Sequence, residues 1–123
     1  MRRKWIRRGM LVALAIIAAS AGGWYNLPPD RRGVVAAHVH QAAGYDVIKT
    51  YGMSPRWYSA YQKSVWDQHH VWIDDSIQCE VTVADLEYIR GYNSVSERRI
   101  KARLGDDPSA VFAPLAMEAQ ANR

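Results

Sequence analysis

The stretch that decides the fold class is TVADLEYIRGYNSVSERRIKARLG, residues 82–105. Thr82 and Asp85 stand at the spacing of a capping box, in which the two residues bond each other's backbone N–H groups at the start of a helix. Ser94 and Glu97 repeat that spacing within the same stretch. The sequence therefore predicts two successive short helices here and a mainly helical chain.

A turn is expected between these two helices. Gly91-Tyr92-Asn93 interrupts the pattern after Arg90, and Gly105 is placed to end the second helix in the left-handed conformation. A short helix, a glycine-containing turn and a second helix together have the outline of a helix-turn-helix. The second helix also carries the basic side chains that a DNA-reading helix needs, namely Arg98, Arg99, Lys101 and Arg103.

The charge distribution argues against nucleic acid as the partner. Residues 22–123 contain eleven Lys and Arg against twelve Asp and Glu, so the body of the chain has no basic excess. The basic residues of the second helix lie toward its C-terminal end, where they complement the helix dipole. A membrane-tethered helix-turn-helix protein remains an alternative, as does a basic helix facing an anionic surface such as lipid headgroups.

The N-terminal segment has the pattern of a leader. Five basic residues precede an apolar run from Met10 to Ala19, and small residues and the pair Trp24-Tyr25 follow that run. The basic residues are Arg2, Arg3, Lys4, Arg7 and Arg8. This order is typical of an export signal or a single membrane anchor that sends the following chain across the membrane.

Cleavage and retention of the leader are both open. Ala19-Ser20-Ala21 fits the small-x-small pattern of a cleavage site. Residues 9–25 would contact the membrane if the leader stays, and they are just long enough to span it, with an aromatic pair where an interfacial belt would lie. In both cases the body lies on the non-cytoplasmic side, because the basic end stays inside.

We therefore divide the chain into four parts. Residues 1–25 are the leader, 26–31 a proline-rich link, 32–119 a single small α-rich domain, and 120–123 a frayed tail. The domain is expected to hold four or five short helices and a possible β-hairpin near residues 70–81.

Three further element boundaries are predicted within the domain. An apolar period of three to five residues indicates a helix through residues 35–51, ended by Gly52, with Gly44 as a weak point at which the helix could divide. Ser54-Pro55 has the form of an N-cap followed by a first helical proline, and predicts a helix to about Trp66. Asp107-Pro108 predicts the start of a last helix that runs to about Ala119.

Metal, cofactor and catalytic chemistry find little support in the sequence. His38 and His40 point to different sides of a helix and cannot chelate together. His70, Asp74 and Cys79 could converge around a turn, which leaves a metal-dependent or thiol enzyme as an alternative function. No nucleophile, phosphate-loop or zinc motif is present, so we expect no bound metal, no cofactor and no catalysis.

The surplus of Tyr and Trp is the feature that points to binding. The sequence holds five Trp and seven Tyr but one Phe, and rings with polar tips favour half-exposed positions and interfaces. The alternative is that these rings fill the only core of a small domain. The predicted function is an exported or anchored binding domain whose partner is an envelope protein, with a binding face formed by Trp57, Tyr58, Tyr61 and Trp72.

Overall fold

The computed structural model describes the backbone of residues 2–77 and 79–122, and the side chains of residues 13–77 and 79–122. The described residues form five helices and two strands, so the mainly helical class is confirmed. In chain order they are α1 (Arg2–Asn26), α2 (Pro29–Ala42), β1 (Asp46–Tyr51), α3 (Tyr58–His69), β2 (Val71–Ile77), α4 (Val83–Leu104) and α5 (Pro108–Ala121).

The two strands form a parallel sheet, so the hairpin predicted near residues 70–81 is wrong. Asp46 pairs with Val71 and Ile48 with Ile73, and α3 makes the crossover that parallel neighbours need. The helix predicted to run on to residue 51 is also wrong: α2 ends at Ala42, and Gly44 has a φ of +85°. The segment that follows is rich in β-branched and aromatic residues, which suit a strand.

α4 is one continuous helix, so the turn predicted at residues 91–93 is wrong, as is the helix-turn-helix outline. The capping box at Thr82 and the left-handed Gly105 are confirmed as the two ends of this helix. Ser94 does not begin a second helix, because its hydroxyl donates to the carbonyl of Gly91 within α4, at 2.7 Å.

Gly91 serves a close approach between helices. A Cβ there would lie 1.9 Å from the carbonyl oxygen of Asp30 in α2. A Cβ at Gly33 would lie 2.1 Å from the carbonyl oxygen of Tyr88 in α4. The two glycines therefore let the backbones of α2 and α4 touch.

The remaining helix boundaries differ from prediction by a few residues. α3 begins at Tyr58, and Ser54 does not cap it because the Ser54 hydroxyl donates to Asp75 at 2.6 Å. α5 begins at Pro108, as expected, but it continues to Ala121, which places the start of the predicted frayed tail inside a helix.

The core has two parts. A larger apolar cluster lies between α3, the sheet, α4 and α5, and consists of Val65, Val71, Ile73, Ile100, Phe112 and Leu115. A smaller cluster of Ala37, Val47 and Tyr92 joins α2, β1 and α4. The larger cluster is the ordinary apolar interior that a domain of this size can form.

Side chains of the flanking helices occupy both edges of the small sheet. The Asn93 amide of α4 accepts from the backbone N–H of Lys49 at 2.9 Å and donates to its carbonyl at 2.8 Å. The hydroxyl of Ser96 donates to the carbonyl of Val47. On β2, the Gln62 amide of α3 donates to the carbonyl of Ile73 at 3.0 Å. Backbone groups that a third strand would pair are thus satisfied by helix side chains.

Three elements share one end of the domain. β1 runs opposite to α4, because Val47 meets Ser96 and Lys49 meets Asn93, and Tyr51 lies beside the first turns of α4. α2 starts at this same half of α4, where Asp30 contacts Gly91. We call this the leader end, since α1 precedes it in the chain.

The leader helix contributes nothing to either core cluster through its described side chains. Residues 13–23 are all exposed, and Leu14, Ile16 and Ile17 retain 56%, 61% and 64% of their accessible surface. The side chains of the basic segment and of Met10 lie outside the described residues. No helix in the part of the chain that the structure describes is both long and apolar enough to cross a bilayer.

Candidate binding cleft

Three of the four predicted binding residues form one aromatic cluster. The ring of Trp57 lies 5.9 Å from that of Tyr58 and 6.2 Å from that of Tyr61, and the two tyrosine rings are 5.5 Å apart. Trp72 is on β2 and contacts Trp66 instead, at 6.3 Å. The four residues predicted to form one binding face therefore belong to two separate aromatic clusters.

The two tyrosines of the first cluster also support the core. Tyr58 and Tyr61 are half-buried against the larger apolar cluster, and the hydroxyl of Tyr58 bonds that of Thr50 at 3.1 Å. Burial, with a smaller contribution from Tyr58, raises the pKa of Tyr61 to about 12. Tyr58 and Tyr61 therefore belong partly to the core, and Trp57 is the member of the cluster that lines a cleft.

That cleft lies between α3 and α5 and has a volume of about 460 Å³. Its lining includes the ring of Trp57 and the small side chains of Ala60 and Ala119. Arg56 and Glu118 bring opposite charges to the same lining. The remaining lining residues, Ser64 and Asn122, supply hydrogen-bonding groups.

Only the α3 side of this cleft could be predicted from the sequence. Trp57 stood out because it belongs to an aromatic cluster at helical spacing. Glu118 and Ala119 belong to the last turns of α5, and Asn122 is its C-cap residue, within the tail that was expected to fray. No local sequence pattern pairs these residues with α3. Their role follows from the packing of α3 against α5, which the larger apolar cluster creates.

The basic helix residues are mostly engaged within the domain. Arg99 and Arg103 both bind the carboxylate of Asp46, at 3.0 and 2.9 Å, and this carboxylate is only 8% exposed. Lys101 pairs with Asp107 at 3.0 Å, and Arg98 is exposed. Three of these four charges are therefore used to hold α4 to β1 and to the start of α5.

A second polar network, which the sequence analysis missed, lies at the sheet. Lys49 Nζ and Asp74 Oδ2 are 2.6 Å apart, and Nζ sits 4.9 Å from the centre of the Tyr92 ring. Partial burial alone would raise the pKa of Asp74, but hydrogen bonds from Lys49 and Ser76 outweigh it and hold that pKa below its ordinary value. The Tyr92 hydroxyl and His40 Nδ1 are hydrogen-bonded at 2.5 Å. Burial raises the pKa of Tyr92 above its ordinary value.

This network separates the residues of the enzyme alternative. Asp74 is bound by Lys49 and Ser76, while His70 packs its ring on Trp66 at 5.6 Å. Cys79 is an exposed free thiol in the loop after β2. Among the residues that the structure describes, no three His, Cys, Asp or Glu side chains are grouped so that they could hold a metal ion.

Comparison with known proteins gives no relative. No protein-family model matches the chain, and the searches of curated proteins and of solved structures returned no match. The functional argument therefore depends on the residues and geometry of this molecule.

Proposed function

We propose that this protein is a small binding domain of the cell envelope, exported or anchored through its leader, which binds another envelope protein at the α3/α5 cleft. The cleft is the observation that carries the proposal. Its volume of about 460 Å³ lies within the range of about 300–1,000 Å³ typical of ligand pockets. No catalytic role is proposed.

The chemistry of the cleft suits a segment of polypeptide. A half-buried Trp in a lining that also holds two alanines suits an apolar anchor side chain, and Trp is enriched among the residues that dominate binding energy. Arg56 and Glu118 provide one donor and one acceptor of opposite charge. Ser64 and Asn122 can bond the backbone groups that a bound segment must keep satisfied.

Two features support a location in the cell envelope: the sequence of the leader, and the apolar side chains of α1 that do not pack on the domain. The described apolar side chains of α1 between residues 13 and 23 are exposed and lie outside both core clusters. Apolar surface in water costs about 25 cal/mol per Å², so this helix favours a bilayer or removal after export. Either outcome leaves the domain on the non-cytoplasmic side, because five basic residues hold the N-terminus inside.

Site-specific cross-linking in cells tests the binding role. A photoreactive residue is placed at Ala60 or Ala119 in the cleft, and at the exposed Ala110 of α5 as the control. The proposal expects one envelope protein to be captured from both cleft positions and not from the control. Equal capture from all three positions, or capture of unrelated proteins from the two cleft positions, would contradict it.

Substitutions at Trp57 make the cross-linking experiment quantitative, because the yield of the adduct can be compared between variants. Trp57→Ala should reduce the cleft adduct at least tenfold, since hot-spot aromatics cost about 2 kcal/mol or more when truncated. Trp57→Phe should restore part of the yield, and Trp72→Ala should leave it unchanged because Trp72 belongs to the other aromatic cluster. Circular dichroism of the purified variants separates lost binding from lost folding.

A further inference from the structure

Large apolar side chains collect at the leader end of the domain. Tyr51, Met53, Val83 and Leu86 retain 59%, 84%, 73% and 40% of their accessible surface. Tyr51, Val83 and Leu86 border a groove of about 490 Å³ whose other lining residues are Glu87, Ile89 and Arg90. Met53 is outside that lining and is included because it lies two residues after Tyr51. We call these four residues the leader-end patch. A concentration of exposed apolar residues in one place marks an interaction surface.

The patch is close to the point where the leader joins the domain. Asp30 contacts Gly91, and Leu86 lies five residues before Gly91 on α4, which is about 7.5 Å along the helix. Asn26, the last residue of α1, is four residues before Asp30 and therefore at most about 14 Å from it. Adding the short step between Asp30 and Gly91, the patch begins within about 30 Å of the end of the leader helix.

We propose that, when the leader is retained, the leader-end patch lies in the interfacial region of the same bilayer that holds the leader. This inference rests on the anchored form of the proposed function. A membrane-held leader keeps the patch at a high effective concentration next to lipid in every molecule. Aromatic and aliphatic side chains that carry few charges are the ones that enter the headgroup and acyl boundary.

The aromatic residues at both sides of the leader junction fit this arrangement. Trp24 and Tyr25 end the leader, and Tyr25 is 77% exposed. Tyr51 brings a third polar-tipped ring to the same end of the molecule. Tyr and Trp side chains concentrate at the membrane–water boundary, where one part of the ring system is apolar and the other is hydrated.

The charges near the groove define which lipids the patch accepts. Glu87 and Arg90 stand one helical turn apart and carry opposite charges. The patch therefore has no excess of positive charge with which to select anionic lipids. We expect contact with neutral phosphatidylcholine as well as with vesicles that contain phosphatidylglycerol.

Lipid-attached quenchers test the proposal on the full chain in phosphatidylcholine vesicles. In a Cys79→Ser background, one cysteine is introduced as Val83→Cys and labelled with an environment-sensitive fluorophore. Ala18→Cys reports insertion of the leader, and Ala110→Cys reports the far end of the domain, beyond the C-terminal end of α4. The proposal expects quenching by nitroxide lipids at positions 18 and 83 and none at 110.

The other outcomes have distinct meanings. Quenching at 18 without quenching at 83 overturns the lipid contact and leaves the anchor in place. No quenching at 18 overturns the anchor itself, and the lipid contact with it. Disulfide-linked dimers of the unlabelled Val83→Cys chain, with no quenching at 83, would show that a second copy covers the patch and would also overturn the proposal.

A charge placed in the patch gives a second test. Met53→Asp should remove most of the quenching at position 83 while leaving that at position 18 unchanged. Val39→Asp is the matched control, since Val39 is 60% exposed and lies near the C-terminal end of α2, away from the leader end. Both positions are exposed, so neither variant disturbs the core. Unchanged quenching at 83 in the Met53→Asp chain would contradict a lipid contact through the patch.

Discussion

The contact between α2 and α4 and the contact between α3 and α5 are built in different ways. The first brings two backbones together at Gly33 and Gly91. Ionic and hydrogen-bonded side chains then tie α4 to β1. The second rests on aliphatic and aromatic residues such as Val65, Phe112 and Leu115, and leaves an open cleft at its edge. The first contact leaves no room for a single Cβ between the two backbones, while the second leaves a cleft at its edge, which is where we propose that a partner binds.

The largest expected effect is the loss of the backbone contact between α2 and α4. Gly91→Ala places a methyl group 1.9 Å from the carbonyl oxygen of Asp30, where neither backbone can give way. We expect destabilisation of at least about 3 kcal/mol, the upper end for overpacking. Denaturant unfolding followed by Trp fluorescence measures it. Gly22→Ala is the matched control, because nothing lies within 4 Å of its Cβ, and it should be neutral.

The next effect concerns the carboxylate that joins α4 to β1. Asp46→Asn weakens two charged contacts at a buried position, with Arg99 and Arg103, and should cost about 2–3 kcal/mol in the free energy of unfolding. Asp67→Asn is the control, since Asp67 pairs with Lys63 on the exposed face of α3 and should cost about 0.5 kcal/mol or less. Equal costs in urea unfolding would contradict a structural role for the basic end of α4.

The Lys49–Asp74 pair predicts a dependence on pH. Because the pKa of Asp74 is lowered in the folded protein, its contribution is present above its ordinary value of 3.8 and is lost as the pH falls through the folded value. Asp74→Asn should cost about 1.5 kcal/mol at neutral pH, a low figure because the pair is partly exposed. The difference between the two chains should shrink below about pH 4. A difference that grows in acid would contradict this assignment.

The smallest effect distinguishes one helix from two. Thr82→Ala removes the cap of α4 and should destabilise the protein by about 1 kcal/mol. Ser94→Ala should change stability by less than about 0.5 kcal/mol, because Ser94 lies within the helix and is exposed. Similar decreases in the thermal unfolding temperature of the two variants would indicate a second helix start at Ser94. That result would contradict a continuous α4 packed on α2.

Local signals predicted three helix ends correctly. The box at Thr82, the cap at Gly105 and the start at Pro108 each depend on groups within one turn of chain, and all three are confirmed. Gly91 and Ser94 carried equally good local signals and were misread. Their actual partners are Asp30, about sixty residues away, and the helix's own backbone.

The parallel sheet and half of the cleft could not be read from local pattern. β1 follows the helical period of α2 closely enough that only its pairing with β2, across α3, identifies it as a strand. The α5 side of the cleft is likewise defined by a partner helix some fifty residues earlier. Trp57 could be predicted from the sequence because residue type and helical spacing are local properties.

The most direct test of the proposed envelope location is to measure on which side of the membrane the domain lies. The full chain is expressed in a bacterial host, protease is added to intact spheroplasts, and the intact mass of the protein is measured before and after. We expect a protease-sensitive domain, with either the full mass or the mass lacking residues 1–21 before protease is added, while a cytoplasmic marker stays intact. A domain of full mass that the membrane protects would contradict an envelope binding role.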